Sequence, residues 1–389
     1  MNAMTHALIA SGMITPLEFV SDAVVLIDEG RIVACGARAA IEVPSGAQLH
    51  DFGDALIAPG FIDMHIHGAA GYDVMARSDS GLRTMGQFLA RHGVTSFVPT
   101  TVTAPTDTII GALEYLGSRA GIHPDSSDVC AVPIGIHIEG PFLSQARRGV
   151  HPPIHIQEPN LATFARFWTA SNGAIRVITL APELTGALEL IREAVRLGVR
   201  VSMGHSNADY DAAKKAISDG VVHATHTFNA MRPMEHRAPG IAGCVLANRS
   251  LTADIIVDGL HVVPPVVDIF LRCKGRELAV LISDATSATG MPDGTYRLGS
   301  FEVEVTGLRC ESHGKLAGSV LTLDVAVRNV MEFAQWPLAD AVRLATLNPA
   351  RVLGIDDRKG QLKPGYDADI VVLSKHGEVI QTIAGERGI

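Results

Sequence analysis

Leu56-Ile57-Ala58-Pro59-Gly60-Phe61-Ile62-Asp63-Met64-His65-Ile66-His67 is where the chain changes texture. Before it, Val24-Val25-Leu26-Ile27 meets a turn at Asp28-Glu29-Gly30 and returns as Arg31-Ile32-Val33-Ala34, the pattern of a β-hairpin. After it, apolar strand-like runs alternate with amphipathic helical stretches to about residue 355. Eight strand candidates can be counted: 61–66, 94–101, 131–138, 175–181, 199–204, 221–227, 252–257 and 278–283. Helices are predicted over Leu82 to His92, Leu188 to Leu197 and Asp209 to Ser218, stopped by Gly93, Gly198 and Gly220. Eight strand–helix units predict an α/β protein with a (β/α)8 barrel of the TIM type, its strands parallel.

Two departures from regularity are expected. Arg232 to Gly243 is interrupted by Pro and Gly and reads as a loop, and Tyr296 to Val305 reads as a β-rich insertion after the eighth strand. From Gly360 the tail returns to β texture and runs into Ile370-Val371-Val372-Leu373. Both chain termini are therefore expected to pair into a small β-sandwich domain, with 1–54 and 356–389 flanking a barrel of residues 55–355.

The composition excludes several classes of function. Hydrophobic content of 47% with 38 glycines suits a well-buried chain of 389 residues. Lys and Arg number 32 against 41 acidic residues, and no basic run offers a surface to nucleic acid or anionic membrane. No apolar run approaches the ~20 residues that span a bilayer. Met1 to Ser11 lacks a basic segment ahead of an apolar core, so no signal peptide is expected. Cys35, Cys130, Cys244, Cys273 and Cys310 are scattered and form no CxxC pair, which fits a reducing, cytoplasmic setting.

The chemistry sits where the predicted strands end. His65 and His67 are two apart on a strand and point the same way. Glu139 ends the third strand, His205 the fifth, His226 the sixth and Asp284 the eighth. In a parallel barrel these ends share one rim. Imidazole and carboxylate together suit Zn²⁺, Fe²⁺, Mn²⁺ or Co²⁺, and no thiolate selects zinc. Asp284 beside such an ion is placed to take a proton from water and return it to a leaving group. His137 and His223 face the alternate side of their strands and read as supporting or packing residues, while His123, His155 and His313 read as surface groups. Trp168 and Trp336 read as packing anchors.

These motifs carry a resemblance. Pro59-Gly60-Phe61-Ile62-Asp63-x-His65-x-His67-Gly68, Ser283-Asp284-Ala285 and Leu362-Lys363-Pro364-Gly365-x-Asp367-Ala368-Asp369 resemble the amidohydrolase superfamily. Within it, four elements resemble the N-acetylglucosamine-6-phosphate deacetylase branch: His137-Ile138-Glu139-Gly140-Pro141-Phe142, Gly204-His205-Ser206, His226-Thr227-Phe228-Asn229-Ala230-Met231 and Asp258-Gly259-Leu260-His261. The resemblance implies metal-dependent removal of an N-acetyl group from a phosphorylated amino sugar. It implies Glu139, His205 and His226 as principal metal ligands, with His65 and His67 leaving one or two divalent ions per subunit open, zinc ahead of iron, manganese or cobalt. It implies Asp284 as catalytic acid/base and His151 as the group that polarises the acetamide carbonyl. Val150, His151, Asn229, Ala230 and Leu316-Ala317-Gly318 are implied to bind the sugar. Arg237 and His261, the latter with Asp258, are implied at the phosphate, the arginine reaching into the neighbouring subunit of a homodimer. Two alternatives stay open: another acetylated amine as substrate, such as N-acetylgalactosamine 6-phosphate or an N-acyl-amino acid, and a non-catalytic barrel that uses its rim for protein assembly.

Overall fold

The computed structural model describes residues 5–123 and 128–389; residues 1–4 of the expected 1–54 segment lie outside the described residues. Eight parallel strands form the barrel in chain order: Phe61–Ile66, Val94–Thr101, Ile136–Glu139, Ile175–Leu180, Arg200–Met203, Val221–Ala224, Thr252–Ile255 and Ala279–Leu281. Residues of the first two are buried without exception, as expected of strands covered on both faces. The barrel closes where the eighth strand's end meets the first: Asp284 N donates to His65 O at 3.0 Å and His67 N to Ala285 O at 2.9 Å. Helices Asp79–Arg91, Ala187–Arg196 and Tyr210–Asp219 form where the spacing predicts them. Their buried faces recur at helical spacing, for example Leu82, Met85 and Leu89.

Three local readings are corrected by packing. The segment 131–138 is two short strands, Val132–Pro133 and Ile136–Glu139, separated at Gly135, where a Cβ would lie 2.2 Å from Arg176 Cγ. The loop from Arg232 is shorter than expected, because Gly240–Ala247 is a helix despite two glycines. All of Gly240 to Val245 is buried there, so tertiary contacts override low intrinsic propensity. The insertion is larger than expected: Gly294–Leu298, Phe301–Thr306, Arg309–Ser312 and Lys315–Leu316 form an antiparallel sheet. Leu298, Val303, Val305 and Cys310 pack with Val102 and roof one side of the barrel rim.

Strands from both ends of the chain pair into a seven-stranded sheet, in which Asp369–Leu373 lies between Leu56–Pro59 and Val379–Ala384. Alternate residues of His6–Ile14 serve two cores, Leu8 and Ala10 on one face and Ala7 and Ile9 on the other. Leu56–Pro59 runs directly into the first barrel strand, and Gly60 N donates to Asp369 O at 2.8 Å. Trp168 and Trp336 pack against the barrel core, as read from the sequence. Among the described residues no helix is long and apolar enough to cross a membrane.

Candidate active site

The strand ends turn sharply at the rim. His205, His226 and Asp284 all have left-handed backbones, with φ of 46°, 31° and 50°. Each such residue costs on the order of 1 kcal/mol unless its surroundings fix it. Here they do: Ser144 N donates to His205 O, Asn229 N to His226 O and Ser319 N to Asp284 O. The His226 amide also donates to the Asp254 carboxylate, which is itself 2.9 Å from His223 Nε2. His137 meets Thr179 Oγ1 at 2.7 Å beneath the rim. Both histidines thus support the site, but His137, two residues before Glu139 on one strand, does so from the face of Glu139 and beside the His65 ring at 4.7 Å, not from the alternate side expected of it.

Five rings point Nε2 at two buried carboxylates. Glu139 Oε1 lies 3.1 Å from His205, 3.0 Å from His226 and 3.6 Å from His65. Its Oε2 lies 3.3 Å from His67 and 3.5 Å from His151. Asp284 Oδ1 is 3.5 Å from His65 and 3.2 Å from His67. The Nε2 atoms of His205 and His226 are 3.0 Å apart, and those of His65 and His67 are 3.2 Å apart. Adjacent Nε2 atoms can share only one proton, whereas one cation satisfies both lone pairs.

Hydrogen bonds at the far nitrogens sort the rings into two kinds. His67 Nδ1 faces Thr100 O at 3.0 Å and His205 Nδ1 faces Arg147 O at 3.1 Å. A carbonyl only accepts, so both rings carry their proton on Nδ1 and turn an Nε2 lone pair to the centre. His151 is the reverse. Thr103 N donates to its Nδ1 at 3.3 Å, which leaves the proton of the neutral ring on Nε2, facing the cavity. His151 belongs by distance to a cluster with Glu139 and His205, and in this tautomer its Nε2 is a hydrogen-bond donor.

The charge balance agrees. Burial raises Glu139, but His65, His151 and His205 outweigh it and hold its carboxyl well below the usual range. Burial raises Asp284 as well, yet His65 and His67 bring it down to about 2. Burial lowers His67, but Asp284 and Glu139 lift it to about 10; the same contest, led by Glu139, lifts His226 to about 9. At His205 burial, with His151 and His226, outweighs Glu139 and brings it down to about 4. Two buried carboxylates thus draw protons onto nearby rings, and a divalent cation supplies that positive charge in their place. The donor set fits the metal.

The cavity above this centre is lined by His67, Glu139, His205, His226 and Asp284, and by Val150, His151, Asn229, Ala230, His261, Leu316 and Gly318. Asn229 Nδ2 is buried with no hydrogen-bond partner among the described residues, a donor left for a ligand. Four expected site residues lie elsewhere. His65 is fully buried beneath the lining, and Ala317 packs into the insertion's core. Asp258 acts through His261, accepting from its Nδ1 at 2.6 Å and from its backbone N–H. Arg237 is exposed and outside the cavity of its own chain. The sequence reading missed Thr100, Thr103 and Asp254, which orient the rings, and Val102, Leu298 and Phe301, which wall the cavity. The polar run Thr100-Thr101-Val102-Thr103 at a strand end was the available signal for the first of these.

A barrel with histidines and carboxylates gathered at its rim defines a metal-dependent hydrolase. The chain belongs to the amidohydrolase family, whose model matches residues 56–387. It is 40% identical over 341 residues to the N-acetylglucosamine-6-phosphate deacetylase of Lysinibacillus sphaericus, covering 87% of each chain. It is 38% identical over 372 residues to the N-acetylgalactosamine-6-phosphate deacetylase of Escherichia coli O157:H7, covering 95% of each. Among solved structures, that of a mutant N-acetyl-D-glucosamine-6-phosphate deacetylase from Mycobacterium smegmatis, in complex with N-acetyl-D-glucosamine-6-phosphate, superposes with a TM-score of 0.92 at 34% identity over 99% of each chain.

Proposed function

We propose that the chain hydrolyses the N-acetyl group of N-acetylglucosamine 6-phosphate, giving glucosamine 6-phosphate and acetate. The observation that carries this reading is one cavity lined by a metal-ligand set, an ionised Asp284, a donor on His151 and the unpartnered Asn229 amide. Glu139, His205 and His226 would hold a divalent cation, with His65 and His67 able to hold a second, and zinc is the ion we expect first. Such an ion supplies a more acidic water and polarises the amide.

The chain's own groups do the rest. Asp284 is a carboxylate at neutral pH, so it can accept the water's proton, hold it, and deliver it to the departing amine. His151 Nε2–H donates to the carbonyl oxygen as negative charge gathers there. Asn229, Ala230, Val150, Leu316 and Gly318 line the space for the sugar, and His261, oriented by Asp258, faces the phosphate. Arg237 complements it from the neighbouring subunit of a homodimer; its exposed place outside its own cavity supports that reading. The segments 1–54 and 356–389 form one domain around a barrel of 55–355; the terminal sheet they share supports the division among the described residues, with the strand Leu56–Pro59 falling on the sheet side of it. We place the protein in the cytoplasm, in keeping with its free cysteines.

The test is acetate release by the purified protein, with metal content measured alongside. Turnover of N-acetylglucosamine 6-phosphate well above that of unphosphorylated N-acetylglucosamine is expected. Higher kcat/KM for N-acetylgalactosamine 6-phosphate would reassign the epimer, and a metal-free protein inactive after Zn²⁺ addition would overturn the reading.

A further inference from the structure

We infer that Glu183 is a positioning residue: it fixes the turn at Ser206-Asn207 and, through that turn, the sugar-binding loop at 229–232. This inference rests on the proposed deacetylase reading for its substrate. Glu183 follows the fourth barrel strand, Ile175–Leu180, and is half-buried outside the cavity. Its hydrogen bonds go to Ser206 and Asn207, neither of which is a metal ligand or lines the cavity. Its Oε2 accepts from Ser206 Oγ at 2.7 Å and its Oε1 from Asn207 N at 2.6 Å. A carboxylate gripping one side-chain and one backbone donor fixes both position and rotation of the turn.

The turn passes that constraint to the sugar side. Ser206 N donates to Ala230 O at 3.1 Å, and Arg232 N donates to Ser206 O at 2.9 Å. The loop between carries Asn229 and Ala230, and Phe228 and Ala230 have left-handed backbones with φ of 80° and 50°. Such a loop needs outside bonds to hold its shape. Asn207 Oδ1 also accepts from Arg147 Nε at 3.1 Å, which ties the turn to the segment that carries Val150 and His151. His205 depends on Glu183 less. Its carbonyl accepts from Ser144 N at 2.9 Å and its Nδ1 meets Arg147 O, bonds that Glu183 does not make. The expected consequence of losing Glu183 is therefore weaker sugar binding with the metal retained.

The experiment compares Glu183→Ala, Glu183→Gln, Ser206→Ala and the Glu183→Ala/Ser206→Ala double variant in the metal-loaded enzyme. Losing a charge-assisted pair of hydrogen bonds should raise KM on the order of tenfold in Glu183→Ala. Its kcat should stay within about threefold, since the groups at the reacting atoms are untouched. Glu183→Gln keeps an acceptor for Asn207 N and should recover most of the KM. The double variant should lose less than the product of the single losses, because the two residues share the Ser206 Oγ to Glu183 Oε2 bond. Amide hydrogen exchange should quicken at 206–208 and 229–232 in Glu183→Ala, a readout that stands even if another acetylated substrate is the true one. An unchanged KM, a proportional loss of metal and kcat, or exchange quickened evenly across the barrel would each overturn the inference.

Discussion

Asp284→Asn is the substitution whose consequences the site defines most fully. Asn is the same size, and it is among the residues that tolerate the left-handed backbone that Asp284 adopts at φ 50°. The two backbone bonds at this position, Asp284 N to His65 O and Ser319 N to Asp284 O, do not involve the side chain and should persist. The barrel should thus remain closed and the protein folded. What is lost is a carboxylate 3.2 Å from His67 Nε2 and 3.5 Å from His65 Nε2, the group proposed to carry the proton in both directions. General acid–base catalysis contributes roughly 10²–10⁴-fold, or about 3–5.5 kcal/mol on the barrier. Because acceptance and delivery of the proton fall on the same side chain, a loss toward the upper end is expected in kcat, with KM little changed. Acetate release gives the rates, elemental analysis the metal and thermal unfolding the fold. A variant that keeps its metal and turns over within tenfold of wild type would refute the assignment of Asp284 as proton carrier.

Three further outcomes are expected. Mixed dimers of Arg237→Ala with Asp284→Asn should contain one site with both groups intact, so activity should exceed the sum of the parental dimers; a simple sum would remove Arg237 from the neighbouring site. Gly318→Ala forces a Cβ to within 2.9 Å of the Asp284 carbonyl oxygen and 2.5 Å of Thr286 Cγ2 at φ +59°, so kcat should fall about tenfold or more and Tm should drop, measured by kinetics and calorimetry. Asp324 bonds His92 Nδ1 at 3.0 Å and Arg328 at 3.1 Å; burial raises it, but His92, Thr322 and Arg328 bring it down to about 2. Its folded pKa lies below its unfolded one, so its contribution is present above about pH 4 and lost as the pH falls toward 2. The stability gap between wild type and Asp324→Asn, on the order of 2 kcal/mol in urea titrations, should close across that window.

The barrel was legible because its signals are local. Apolar runs such as 175–181, followed by helices that stop at glycine, state strand, helix and parallel order without any tertiary knowledge. The ligands were legible for the same reason, since each ends a strand and a parallel barrel fixes where strand ends go. What escaped is what depends on contacts between distant segments. Arg232 to Gly243 reads as loop because its prolines and glycines disfavour the helix that burial then imposes from Gly240. The proton positions on His67 and His151 depend on Thr100 and Thr103, which lie 33 and 48 residues away in the chain. Glu183 carries no strand-end pattern of its own and is defined only by the turn it holds.

The seam between the first and eighth strands has a consequence for how the molecule comes into being. His65 is synthesised more than two hundred residues before Asp284, and the hydrogen bond between their backbones is the bolt of the ring. A nascent or truncated chain that stops short of the eighth strand already carries Glu139, His205 and His226, but it has neither the bolt nor the proton carrier. Hydrolysis is thereby withheld from half-made molecules, and turnover during refolding cannot begin before the ring shuts.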